Sequence, residues 1–221
     1  MLPIVSIVGK SDSGKTYLME RLVPQLTSRG YRIATVKHDV HGFEIDREGK
    51  DSWRHKQAGA ASVVLSSPEK IAVIKDLEQE LTLDEIRLRW ISDVDLILTE
   101  GYKRSRFHKI EASIFNAEEK LLCTQEDRLI AVVSNKSLSV DVPVFSEEEV
   151  NQLADLLEEK FLREKKKPRV QVLVRGKPMA LNPFVQDLLW KMLQAFLSSL
   201  KGWDSAGDIE VRVFPEKPGA S

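Results

Sequence analysis

The chain has 221 residues, and its 33 lysines and arginines nearly offset 34 aspartates and glutamates, for a net charge of −1. That length fits one ordinary α/β domain with a small second one, and the balanced charge argues against a nucleic-acid partner, which leaves a basic footprint. The single cysteine, Cys123, excludes an intramolecular disulfide, and no stretch is long and apolar enough for a membrane span, so a soluble cytoplasmic protein is expected.

Residues 4–8 are a near-continuous apolar run, as in a strand buried on both faces. A Gly-containing loop follows, and then Leu18, Leu22 and Leu26 recur with helical spacing until Gly30 stops the helix. Tyr31 to Val36 reads as a second strand, completing a βαβ unit. The stretch from Lys37 to Lys50 has no periodicity, and a loop of that length inside a domain is usually functional or mobile. A short helix over Asp51–Ala58 and strands over Ser62–Ser66 and Ile71–Lys75 come next. Thr82-Leu83-Asp84-Glu85 is a capping box opening a helix to about Trp90. Strands are predicted over Asp95–Thr99, Ile110–Phe115 and Leu129–Ser134. A second capping box, Ser146-Glu147-Glu148-Glu149, opens a helix that aligns Val150, Leu153, Leu157 and Phe161.

The charged run Arg163–Pro168 reads as a solvated linker. Beyond it Val170, Val172 and Val174 alternate as in a half-buried strand, residues 175–178 make a turn, and Met179–Leu181 can pair back. Asn182-Pro183 caps a helix with a wide apolar stripe from Phe184 to Leu200, Gly202 ends it, and Ile209, Val211 and Val213 alternate as a last strand. The expected division is a nucleotide-binding domain over 1–162, a linker over 163–169 and a small α+β accessory module over 170–221.

Gly9-Lys10-Ser11-Asp12-Ser13-Gly14-Lys15-Thr16 matches the whole G-x-x-x-x-G-K-[ST] pattern, between a predicted strand and a predicted helix. Gly9 and Gly14 let the backbone close around phosphate oxygens, with amides from about Asp12 and Ser13 onward aimed at them. Lys15 is expected to bridge the β- and γ-phosphates, and Thr16 to offer its hydroxyl to Mg²⁺. The ligand is a purine nucleoside triphosphate. The fold class is therefore α/β: a P-loop NTPase-type, mostly parallel twisted sheet with helices on both faces, plus a small C-terminal ββαβ module.

Ligands of such sheets sit at the carboxyl ends of the strands. Of the two acids flanking the strand before Gly101, Asp95 lies at the far end and Glu100 near the phosphate loop, so Glu100 is assigned to Mg²⁺. The same geometry brings Lys37, His38 and Asp39 to the active edge; Asp39 is a candidate for a further Mg²⁺ contact or for orienting water. His38 and His41 are candidates either for a transition-metal site or for a loop that reorganises around the γ-phosphate. No strong catalytic base stands out, so slow hydrolysis is expected. The basic loop Lys103–Lys109, with Arg106, leaves the same edge and can receive a second anion. Asn135-Lys136 begins the guanine-reading pattern N-K-x-D, but Leu138 replaces its acid, which leaves GTP against ATP open.

The phosphate loop, residues 36–43 with K-H-x-x-H-G, Asp46, Gly49-Lys50-Asp51-Ser52, Ala58-Gly59-Ala60 and Thr99-Glu100-Gly101-Tyr102-Lys103 occur in that order. Over about residues 1–160 this resembles the molybdopterin-guanine dinucleotide biosynthesis protein B (MobB) family. The resemblance implies a GTP-binding, weakly GTP-hydrolysing accessory protein of molybdenum cofactor maturation. It also implies a homodimer that associates with a MobA-type guanylyltransferase and molybdoenzyme maturation partners, and a molybdopterin-type second ligand near Lys37, His38, His41, Lys103 and Arg106. It favours GTP where the residues alone do not choose. Two other readings stay in view: a small-molecule kinase on the same fold, for which no clear arginine lid is seen although Arg87 and Arg89 sit on a predicted helix, and a metal-delivery GTPase using His38 and His41.

Overall fold

Residues Ile4–Val8 form strand β1, and all five are buried, as a run without alternation requires in a strand covered on both faces. The structure, a computed structural model, describes residues 2–39, 42–115, 121–163, 170, 172–174, 177–179, 181 and 183–201. Helix α1 (Lys15–Ser28) buries Leu18, Met19, Leu22 and Leu26 along one side. It ends where Gly30, at φ +90°, turns the chain. There the Gly30 amide donates to the Thr27 carbonyl and the Tyr31 amide to the Leu26 carbonyl, which satisfies two of the helix's last carbonyls.

Tyr31 is spent on that turn, so β2 is Ile33–Lys37 rather than Tyr31–Val36. Arg32 and Asp95 then exchange bonds: the Arg32 amide donates to the Asp95 carboxylate at 2.9 Å, and the Asp95 amide to the Arg32 carbonyl at 2.7 Å. Strand β5 therefore starts one residue later than predicted, at Leu96, and carries Glu100 as its last residue. Between them lie α2 (Asp51–Gln57), β3 (Ser62–Ser66), β4 (Ile71–Lys75) and α3 (Leu83–Trp90). The predicted box at Thr82 is formed: its hydroxyl accepts the Glu85 amide, and the Glu85 carboxylate accepts the Thr82 amide.

Strand β6 (His108–Ser113) starts two residues before its predicted position, β7 (Leu129–Ser134) lies where predicted, and β8 (Val144–Phe145) has no counterpart in the sequence reading. A two-residue strand carries too little pattern to be seen. Helix α4 (Val150–Leu157) follows, and the chain winds on in a wider turn that buries Phe161.

Six strands make one sheet in the order β2-β5-β1-β6-β7-β8, and every pairing is parallel. On one face α1 and α4 cover Val5, Ile7, Leu98, Ile110 and Val133. On the other, α3 supplies Leu83 against Ile4 and Ile97. Beyond it, Leu121, Cys123, Leu138 and Val142 from connecting segments cover Val8 and Val132. β3 and β4 form a separate antiparallel hairpin.

Contacts divide the chain into two units, Met1–Lys167 with Arg175–Lys177, and Pro168–Val174 with Pro178–Ser221. In the C-terminal part β9 (Val172–Val174) pairs with β10 (Lys177–Met179), so the return strand comes earlier than predicted. Helix α5 (Pro183–Ser198) follows. Asn182, Gly202 and the predicted strand at 209–213 lie outside the described residues.

Candidate functional site

The loop between β1 and α1 is held in a tight arch. Gly9 and Gly14 have φ of +153° and +95°, and Asp12 is left-handed as well. A Cβ on Gly9 would come within 2.5 Å of the Ala112 carbonyl and 2.3 Å of Ser13 Oγ, so only glycine fits there. The Ile114 amide donates to the Ser13 carbonyl at 2.9 Å, tying the arch to the end of β6. The first helical bond of α1 runs from the Leu18 amide to the Gly14 carbonyl, which leaves the amides of Lys15, Thr16 and Tyr17 without an intrahelical acceptor. No acid occupies the first turn. These are the conditions under which a helix start attracts an anion.

Two side chains show what this cradle suits. Lys15 Nζ donates to the carbonyls of Gly9 at 3.2 Å and Lys10 at 2.5 Å, folding over the arch. Ser13 Oγ is fully buried and has no hydrogen-bond partner. An ammonium resting on loop carbonyls, an orphan hydroxyl and the first-turn amides of α1 together fit a polyphosphate.

Thr16 Oγ1 donates to both Glu100 oxygens, at 3.0 Å each. The register makes this contact: β1 and β5 pair in parallel with Ile7 opposite Glu100, so the carboxylate emerges beside the start of α1. Hydroxyl and carboxylate are hard oxygen donors of the kind Mg²⁺ takes. Asp95 sits at the opposite end of β5, bound to Arg32.

Lys37 Nζ lies 4.0 Å from Glu100 Oε1 and is well exposed. The His38 amide donates to the Glu100 carbonyl at 3.0 Å, its ring stacks on Tyr102 with centroids 4.6 Å apart, and its Nε2 lies 2.7 Å from Glu80 Oε1. Asp39 follows at the same edge, with its carbonyl 3.4 Å from the Gly42 amide. His41 lies outside the described residues. Asp46 accepts from Ser52 at 2.8 Å and so holds the start of α2. Among the described residues no group of three His, Cys, Asp or Glu is arranged to hold a metal ion.

The basic loop is more divided than its composition suggested. Lys109 is buried and donates to the carbonyls of Ser105, Phe107 and Asp127, so it braces the loop from inside. Arg106 reaches away to Asp84 at 2.5 Å. Lys103 is exposed. Its charge and that of Lys10 act on Glu111, a buried acid on β6 that accepts the amides of Leu122 and Cys123. Burial pushes the Glu111 carboxyl up, against those two amides and cations. Lys109 was read as part of the basic loop and Glu111 as a residue of the strand Ile110–Phe115, with no sign in the sequence that either is buried. Glu80 likewise left no sequence signal.

Arg87 and Arg89 belong to the scaffold. Arg87 is 3% exposed and donates to the Leu2 carbonyl and to Asp84, and Arg89 pairs with Glu85 on its own helix. Asn135 and Lys136 stand at the end of β7, where Asn135 Nδ2 donates to Glu147 Oε1 at 3.0 Å.

The model of the family described as molybdopterin guanine dinucleotide synthesis protein B (MobB) matches residues 4–135. The chain is similar to the molybdopterin-guanine dinucleotide biosynthesis adapter protein of Haemophilus influenzae, with 34% identity covering 71% of this chain and 88% of that one. A putative adapter protein of the same description from Methanocaldococcus jannaschii is 24% identical over 95% of this chain and 97% of its own. A crystal structure of molybdopterin-guanine biosynthesis protein B superposes with a TM-score of 0.60 at 36% identity, covering 73% of this chain and 99% of that one.

Proposed function

The chain belongs to the MobB family and acts in molybdenum cofactor biosynthesis, and from that premise we propose that it is a GTP-binding adapter that assists formation or delivery of molybdopterin guanine dinucleotide. The observation that carries this reading is the hydrogen bond from Thr16 to Glu100 beside the Lys15 arch. Mg²⁺ would supply charge neutralisation on the β- and γ-phosphates. Thr16 and Glu100 would hold it, Lys15 would move from the loop carbonyls to the phosphates, and the Asp12–Thr16 amides would fix their position. Asp39, one residue past the His38–Glu100 backbone bond, would orient water. None of these groups is a strong base, which supports slow hydrolysis.

Lys37 and Lys103 flank the loop and would meet a second anion of molybdopterin type; His38 and Arg106, being engaged with Glu80 and Asp84, would serve it only after releasing those acids. Homodimerisation is supported by the β3–β4 hairpin, whose Val64, Val73 and Ile71 share one face, with Ile71 71% exposed. The adapter role supports a MobA-type guanylyltransferase and molybdoenzyme maturation partners, and with them a cytoplasmic setting. The division at residues 162 and 169, with a C-terminal docking or dimer module, belongs to the same reading.

The test is a titration of GTP and ATP with and without Mg²⁺, repeated with a MobA-type enzyme and molybdopterin present. Mg²⁺-dependent GTP binding that is lost in Lys15→Ala is the expected result. Unchanged GTP affinity in that variant would sink the proposal.

A further inference from the structure

The guanine-reading pattern that begins at Asn135-Lys136 lacks its acid, and the structure explains why Leu138 takes that place. Leu138 packs against the cluster of Val8, Cys123, Leu129 and Val132. A carboxylate directed into that cluster would be desolvated without a partner. The chain therefore has no acid where the pattern would put one.

It has one on the next strand. β8 runs parallel to β7 with Val132 opposite Val144 and Val133 opposite Phe145. Continuing that register beyond the strand ends sets Glu147 beside Asn135. The side chains meet accordingly: Asn135 Nδ2 donates to Glu147 Oε1 at 3.0 Å, and the Glu147 amide donates to Asn135 Oδ1 at 3.3 Å. The neighbouring acids have other work. Glu148 pairs with Arg21 at 3.2 Å. Glu149 accepts the Ser146 amide at 2.8 Å, and the bonds from Ser146 hold its carboxyl below the usual range.

This corner lies on the same edge as the phosphate loop. The Ser13 carbonyl accepts the Ile114 amide at the end of β6, and β6 pairs with β7 through Ser113 opposite Ser134. From β1 to β7 is two strand spacings, about 10 Å, a gap that a ribose and its first phosphate bridge.

We infer that Glu147 is the specificity-determining carboxylate of the nucleotide site: it accepts the N1–H and N2–H donors of guanine, in the place of the acid that Leu138 displaced. Asn135 holds Glu147 in position before the base arrives and is itself a donor and acceptor for the base edge. This rests on the reading of the protein as a GTP binder and adds which residue selects guanine.

The experiment measures affinities of the full chain for GTP, ITP, XTP and ATP, for the native protein, Glu147→Gln and Asn135→Ala. ITP lacks the 2-amino group, so its deficit against GTP isolates the bond to N2. The native chain is expected to prefer GTP over ITP by about tenfold or more. Glu147→Gln is expected to lose that preference and to gain relative affinity for XTP, whose 2-oxo group suits an amide donor. Asn135→Ala is expected to weaken GTP and ITP together and keep their ratio. Two results overturn the inference while leaving GTP binding intact: equal native affinity for GTP and ITP, or a Glu147→Gln variant that keeps the native ratio. A native chain that binds ATP as well as GTP overturns it too, and a native chain that binds no GTP removes the broader reading along with it.

Discussion

Thr16 and Glu100 stand 84 residues apart in sequence and meet through one hydroxyl and one carboxylate. If that pair holds the metal, Glu100→Gln should keep phosphate binding through the loop amides and Lys15 but lose Mg²⁺ affinity by roughly 10–100-fold; titrating Mg²⁺ at fixed GTP reads this directly. An undiminished Mg²⁺ requirement would move the metal to another acid. Gly9→Ala should abolish nucleotide binding, because the added carbon collides with Ser13 Oγ and with the Ala112 carbonyl, and the latter cannot give way. Cys123 offers a test at the same scale. Burial first, then Glu111 and Asp127, push its thiol up to about 11. A thiol whose proton is held more tightly in the folded state stabilises the fold below its unfolded pKa of 9.0, and that contribution is lost as pH rises toward 11. Native stability should therefore fall between pH 9 and 11, and Cys123→Ala should flatten that limb in pH-dependent urea melts. At this scale the phosphate loop and Glu100 were legible because pattern and strand direction each carry information. Ser13's orphan hydroxyl and the buried Glu111 were not, since their environment comes from segments distant in sequence.

Elements with a local stop signal were read closely. The box at Thr82 and the glycine at the end of α1 are short-range hydrogen-bond chemistry, and they appear where the residues demanded. Thr82→Ala should cost about 1 kcal/mol in stability without changing GTP affinity, since α3 packs on the face behind Ile4 and Ile97; a large loss of GTP binding would tie α3 to the site. The acids after β8 were read less well. Of the predicted box, the bond from the Ser146 amide to the Glu149 carboxylate stands before α4, and Glu147, inside the box, meets Asn135. The cause is β8 itself, a strand too short to announce its register, which nevertheless delivers Glu147 to the nucleotide edge. Strand limits slipped by one or two residues for similar reasons, because the Arg32–Asp95 exchange and the Tyr31 turn consume the residues that alternation alone would give to β2 and β5.

On the scale of the whole molecule, β1 lies between β5 and β6; its connection runs through α1 toward β2 while that of β6 runs toward β7, so the carboxyl ends between these two strands are where a sheet of this order takes its ligand. The residues proposed to bind nucleotide and metal, Lys15, Thr16, Glu100, Asn135 and Glu147, lie at the carboxyl ends of their strands or beside them, and all precede residue 163. The family match over residues 4–135 falls within the same span, whereas the Methanocaldococcus relative extends across the C-terminal region as well. In that region α5 displays Phe184, Leu188, Met192 and Phe196 at four-residue intervals, each exposed. Such a stripe suits a docking or dimer element. If the division near residue 163 is functional, a chain ending at Leu162 should retain GTP affinity within about twofold, because every residue proposed to bind the nucleotide is kept and the cut follows the buried Phe161. Its mass in solution, by light scattering, separates the two roles. A dimer that persists without residues 163–221 assigns self-association to the β3–β4 hairpin, and then Val64→Asp with Ile71→Asp should yield monomers. A truncated chain that is monomeric assigns it to α5, and Leu188→Glu with Met192→Glu in the full chain should have the same effect. Loss of GTP binding on truncation would refute the division at 162, since the nucleotide site would then depend on residues beyond Leu162.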